Sequence, residues 1–124
     1  MQSLVLKKER WKDILDHLST AAANEHIKIE VVRDAGTQSV NGNMEFGKLG
    51  FDTKSATLSI HAGGTVYFIR DPQEIAITYS ANDVTGIEII ERNDARWLIT
   101  FLPPVHLPLL LPSISRKKPS ERAE

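Results

Sequence analysis

"KLGFDTKSATLSIHAGGTVYFIR", residues 48–70, sets the architecture of this chain. Apolar and polar residues alternate through it with period two, the pattern of strands that bury one face. Turn residues interrupt the alternation at Lys54-Ser55 and again at Gly63-Gly64. A two-residue turn at 54–55 sets Phe51 opposite Leu58 and Leu49 opposite Ile60. The same arithmetic at 63–64 sets Ile60 opposite Tyr67 and Leu58 opposite Ile69. One apolar face results, so three antiparallel strands are predicted in this register. Val66 and Phe68 then point to the other face.

Working outward, "IKIEV" at 27–31 alternates in the same way, and Asn41-Gly42 is predicted to be a hairpin turn, because both residues tolerate positive φ. Upstream the period changes to 3.6. Trp11, Ile14, Leu15, Leu18 and Ala22 form one stripe of a helix predicted over 7–23, with Lys12, Asp13, Asp16 and Ser19 away from it. That helix starts without a capping residue and with lysines that oppose its dipole, so packing must hold it. Downstream, Asp71-Pro72 breaks the sheet pattern. "EIAITY", "GIEIIE" and "RWLITFL" then follow with hairpin-length turns at "SAND" and "RNDA". A two-residue turn at 93–94 would pair Glu91 with Arg96. The prediction is an α+β fold: one N-terminal amphipathic helix on a strongly curved antiparallel sheet, a meander or partial barrel of about six to eight strands. Residues 1–102 form the single domain, and 103–124 a proline/leucine-rich arm with a basic tip.

Composition excludes several function classes. The 124 residues include no cysteine, which rules out disulfides, thiolate metal sites and cysteine nucleophiles and fits a reducing cytoplasm. Net charge is −1, with +2 carried by residues 113–124 and −3 by the rest, so no strong field draws nucleic acid. The longest apolar run, Val105 to Leu111, is interrupted by His106 and Pro108 and is far short of the roughly 20 residues a spanning helix needs. A cytoplasmic location, with neither membrane nor nucleic acid as partner, is expected.

Chemical motifs are scarce. "GNMEFGK", Gly42–Lys48, has the spacing of a phosphate-binding loop, but Leu49 replaces the required hydroxyl and a strand pattern follows instead of a helix. The histidines at 17, 26, 61 and 106 show no metal-ligand spacing. No catalytic, cofactor-binding or metal-ligating residue is assigned, and no cofactor is expected. An enzyme would need at least two of His17, His61, Asp52 and Glu88 in one pocket. A small-ligand binder would need a cleft between helix and sheet, lined by Trp11, Tyr67 and Tyr79.

The arm supplies the preferred alternative. Prolines 103, 104, 108 and 112 oppose a helix or a central strand. Val105, Leu107, Leu109, Leu110 and Leu111 would be costly as one wet patch, so they cover the chain's own sheet or dock on another subunit or protein. A non-catalytic interaction or regulatory module is the function expected, with a homo-oligomer or a protein partner engaged through the arm.

The order "LVLKKERWKDILDHLS", "KLGFD", "LSI", "IRDPQEIAI", "IEII" and "WLITF" resembles a family of small bacterial proteins known as domain of unknown function 5335. The resemblance covers about residues 4–102 and implies a bacterial, cytoplasmic, single-domain protein. The position of Tyr67 is often histidine in that family, which weakens any histidine-based activity here. The resemblance supplies no site residues and no chemistry.

Overall fold

The structure, a computed structural model, describes residues 2–33 and 36–106, with backbone alone over 37–41. Strand β1 (Gln2–Val5) leads through a single 3-10 turn (Lys8–Arg10) into helix α1 (Trp11–Ala21). Seven strands follow: β2 (His26–Arg33), β3 (Gly36–Asp52), β4 (Thr57–Ala62), β5 (Thr65–Arg70), β6 (Glu74–Ser80), β7 (Asp83–Ile90) and β8 (Arg96–His106). They form an open antiparallel sheet in the order β1-β6-β7-β8-β2-β3-β4-β5. Among the described residues one short helix with eight strands fits the α+β class, dominated by sheet.

The register predicted over 48–70 is the one observed. Phe51 faces Leu58, Leu49 faces Ile60, Ile60 faces Tyr67 and Leu58 faces Ile69. Gly63 and Gly64 have φ of 60° and 79°, so the two-residue turn draws on the freedom of both glycines. The predicted helical stripe is likewise buried throughout, and no side chain caps the N-terminus of α1. The charge at that end is partly used: Lys8 Nζ lies 5.7 Å from the Trp11 ring.

Several expectations need correction. Asn41-Gly42 is not a turn; both lie inside β3, where Asn41 pairs with Ile29 between two register shifts. The β2–β3 ladder closes at Arg33 and Gly36 instead, and the φ of 116° falls on Gly36. Gly42 is held extended because β3 is one long strand that pairs with β2 over its first half and with β4 over its second.

The last hairpin is one residue longer than predicted. Glu91 N–H donates to Ala95 (2.8 Å), Asp94 takes φ of 69°, and Ile90 faces Arg96. A three-residue loop with its last residue left-handed replaces the two-residue turn. Arg96 therefore pairs with Glu88 (2.6 Å), while Glu91 accepts from Trp97 Nε1 (3.0 Å).

Prolines 103 and 104 also fail to end their strand. β8 lies between β7 and β2 only as far as Leu102, which faces His26. Beyond it β7 alone continues, and residues 101–104 bulge opposite Thr85, since Gly86 faces Thr100 and Val84 faces Val105. The two prolines thus occupy the one stretch of β8 where no ladder N–H is required. The peptide Leu102-Pro103 is cis.

The core is continuous from α1 across the sheet. Phe46 meets Phe101 edge-to-face at 5.9 Å, and Trp11 meets Phe51 at 5.3 Å. Tyr67 of β5 meets Trp97 of β8 at 6.4 Å. Among the described residues no buried one is polar or charged. No helix among the described residues is long and apolar enough to cross a membrane.

Candidate functional site

The second half of β3, with β4 and β5, makes a three-stranded ribbon. Its inner face buries Leu49, Leu58, Ile60 and Ile69. The alternation that creates this inner face sends the intervening residues outward in three cross-strand rows. These are Lys48–His61–Val66, Gly50–Ser59–Phe68 and Asp52–Thr57–Arg70. Phe68 is 63% exposed and Val66 39%, which places apolar surface on the solvent side of a strand. Phe68 projects where the neighbouring positions hold only Ser59 and Gly50. A cleft of about 550 Å³ runs past it, bordered also by Asp52, Ser55 and Arg70. A second cleft of about 430 Å³ lies against His61, Gly63, Gly64 and Val66.

The ribbon has two edges, and they are treated differently. Along β3, Leu49 turns its backbone groups away from β4, past the point where β2 has ended at His26 and Glu45. Ser19 of α1 fills that gap. Its Oγ accepts from Leu49 N–H (2.8 Å) and lies 3.0 Å from the Leu49 carbonyl and 2.8 Å from that of Leu15. Ser19 therefore faces the sheet, where the helical wheel placed it away from the buried stripe. A hydroxyl beside an apolar stripe was its sequence signal.

Along β5 nothing comparable occurs among the described residues. Ala62 and Thr65 flank a two-residue turn and form a hydrogen-bonded pair, so Tyr67 and Ile69 also bond to β4. Val66, Phe68 and Arg70 then direct their N–H and C=O groups outward from the last strand of the sheet. The residues with the exposed side chains are also those with the outward backbone.

The candidate chemical groups do not converge. His17 is exposed on α1, with Nδ1 2.9 Å from the Asp13 carbonyl. Asp52 accepts from Ser55 Oγ (2.9 Å) and Lys54 N–H (3.0 Å), and these bonds, Ser55 first, lower its pKa. His61 is four residues along β4 from Thr57, the partner of Asp52, or about 13 Å at the rise of a strand. Glu88, on β7, is held by Arg96 of β8. Among the described residues no three His, Asp or Glu side chains gather to hold a metal.

The cleft expected between helix and sheet is filled by side chains. Trp11, only 2% exposed, donates to the Leu6 carbonyl (3.3 Å), and Ile14, Leu15 and Leu18 are fully buried beside it. Tyr67 and Tyr79 pack against the same core. The phosphate-loop spacing at Gly42–Lys48 lies wholly within β3, with strand and not helix after Lys48.

Of the five residues named for partner contact, Val105 is 5% exposed, opposite Val84 in the chain's own core. Leu107, Leu109, Leu110 and Leu111 lie outside the described residues.

No solved structure matches the chain. A protein of Aquifex aeolicus (strain VF5), described as an "Uncharacterized protein", is 26% identical over 110 residues, covering 87% of this chain and 99% of that one. The model of the Family of unknown function (DUF5335) matches residues 2–110, and the chain belongs to that family.

Proposed function

We propose that this chain is a non-catalytic protein-interaction or regulatory module of a bacterial cytoplasm, and that it works by taking an extended segment onto the open edge of β5. The observation that carries this reading is Phe68, 63% exposed on an edge strand whose backbone groups point to solvent. Natural sheets blunt their edges with proline, lysine, bulges or a covering element. β5 is "TVYFIR": it has no proline, its ladder to β4 has no register shift, and its single charge is at its end. Strand addition supplies main-chain hydrogen bonds, and an adjacent side-chain pocket supplies selectivity. The cleft beside Phe68 suits that second task.

A strongly curved, half-closed sheet supports the same reading. β5 is four strand positions from β8, about 19 Å across a flat sheet, whereas the Tyr67 and Trp97 rings meet at 6.4 Å. Such folding leaves β5 at a rim, open to an incoming strand. Leu107, Leu109, Leu110 and Leu111, directly after β8, form a second proposed contact stretch.

The experiment compares proteins captured from bacterial extract by the tagged full chain and by its Val66→Pro variant. Proline there removes an outward N–H and leaves the β4 ladder intact. Loss of captured proteins with the variant, at unchanged circular dichroism, is the expected result. An identical captured set from both, together with an identical oligomeric state, would overturn the reading.

A further inference from the structure

We infer that the occupant of the β5 edge is a second copy of this chain, its β5 paired antiparallel about a two-fold axis through Phe68. This rests on the strand-addition reading above and names its partner.

Register carries the inference. The outward residues Val66, Phe68 and Arg70 are spaced by two, so an antiparallel copy can meet them only in registers that pair outward with outward. With Phe68 opposite Phe68 of the second copy, Val66 faces Arg70 and Arg70 faces Val66. All outward N–H and C=O groups of the three residues are then paired. Sliding by two residues either way leaves groups of Val66 or Arg70 without a partner. Sliding further toward the C-terminus sets Arg70 against Arg70, a like-charge pair directly across strands.

The favoured register is also the best for side chains. Phe68 stacks beside its own copy, and the aliphatic stem of Arg70 lies over Val66, with its guanidinium at the rim. On the inner face Tyr67 meets Ile69 of the second copy. The strand therefore pairs with itself about one point without setting its like charges directly opposite each other.

The arrangement also closes. A two-fold pairing of identical edges uses both at once and offers no further β5 edge for growth. At the other end of the sheet β1 has only four residues, and short edge strands pair weakly. On the ribbon itself the β3 edge is engaged at Leu49 by Ser19 of α1. Among the described residues β5 is the edge left for a partner.

The absence of cysteine makes the test direct. Light scattering on the purified full chain should give a dimer, while Val66→Pro and Phe68→Lys give monomers with unchanged circular dichroism. Should the proline variant fail to fold, the lysine variant decides. In addition, Phe68→Cys should oxidise to a covalent dimer, because facing residues in a hydrogen-bonded pair have Cα atoms about 5.5 Å apart, within disulfide reach. Val66→Cys should not, since the two copies of residue 66 lie about 13 Å apart along the strands. A monomeric wild type, a dimer indifferent to both edge substitutions, or equal cross-linking at 66 and 68 would overturn the inference. A monomer that still loses captured proteins through Val66→Pro would leave the strand-addition reading standing and remove only the second copy.

Discussion

Gly86 and Asp52 show how single residues hold this fold. A Cβ on Gly86 would come within 2.5 Å of the Ile99 carbonyl oxygen and 3.3 Å of Thr78 Oγ1. A backbone oxygen cannot rotate away, so β7 would have to separate from β8. Gly86→Ala should therefore destabilise by about 1–3 kcal/mol, the usual range for overpacking, read as a lower urea midpoint. Asp52 acts through a proton equilibrium. Its carboxylate accepts from Ser55 and from the Lys54 N–H, which lowers its pKa in the folded chain. The unfolded chain then binds the proton first as pH falls. The stabilisation is complete above the ordinary aspartate range and disappears as pH drops through the depressed folded value. Asp52→Ala should lower the midpoint at neutral pH and leave it unchanged once both forms are protonated. A deficit that persists in strong acid would mean that the turn is not held by the ionised carboxylate.

At the scale of elements, α1 both buries a stripe and covers a strand edge. Ser19→Ala removes the acceptor of the Leu49 N–H, and a lost partner of this kind costs roughly 1–3 kcal/mol. The amide of Leu49 should also exchange faster with solvent in that variant. Loss of stability without faster exchange at Leu49 would contradict the edge-covering role. The sequence made much of this level readable. Period-two alternation and the Gly63-Gly64 turn fix β3, β4 and β5 in register, and Trp11 to Ala22 fix the helix. What misled was competition between local and distant preferences. Asn41-Gly42 has strong turn propensity, yet the long ladder from β3 to β2 and then β4 holds it extended. The "RNDA" turn gained a residue because Asp94 accepts a left-handed φ, which slipped the expected partner of Arg96 from Glu91 to Glu88. β1 and the tail of β8 were hidden for a related reason: their pairing depends on β6 and β7, far away in sequence.

For the whole molecule, the candidate site was half legible. Parity alone sends Val66 and Phe68 outward, but only the strand order shows that β5 has no further neighbour among the described residues. Edge position is a property of topology, and no local pattern reports it. The arrangement that follows is a sheet whose apolar interior is continuous, whose titratable groups are dispersed over separate elements, and whose open edge bears an exposed aromatic ring. Binding through backbone groups is what such a surface offers, and those groups can be watched directly. The decisive measurement is amide hydrogen exchange at Val66, Phe68 and Arg70, followed as the concentration of the full chain is raised. The account predicts rapid exchange in dilute solution and slowing of these three together at high concentration, with Tyr67 and Ile69 protected throughout by β4. Exchange at the three that stays fast and independent of concentration, or protection already complete in the dilute monomer, would contradict it.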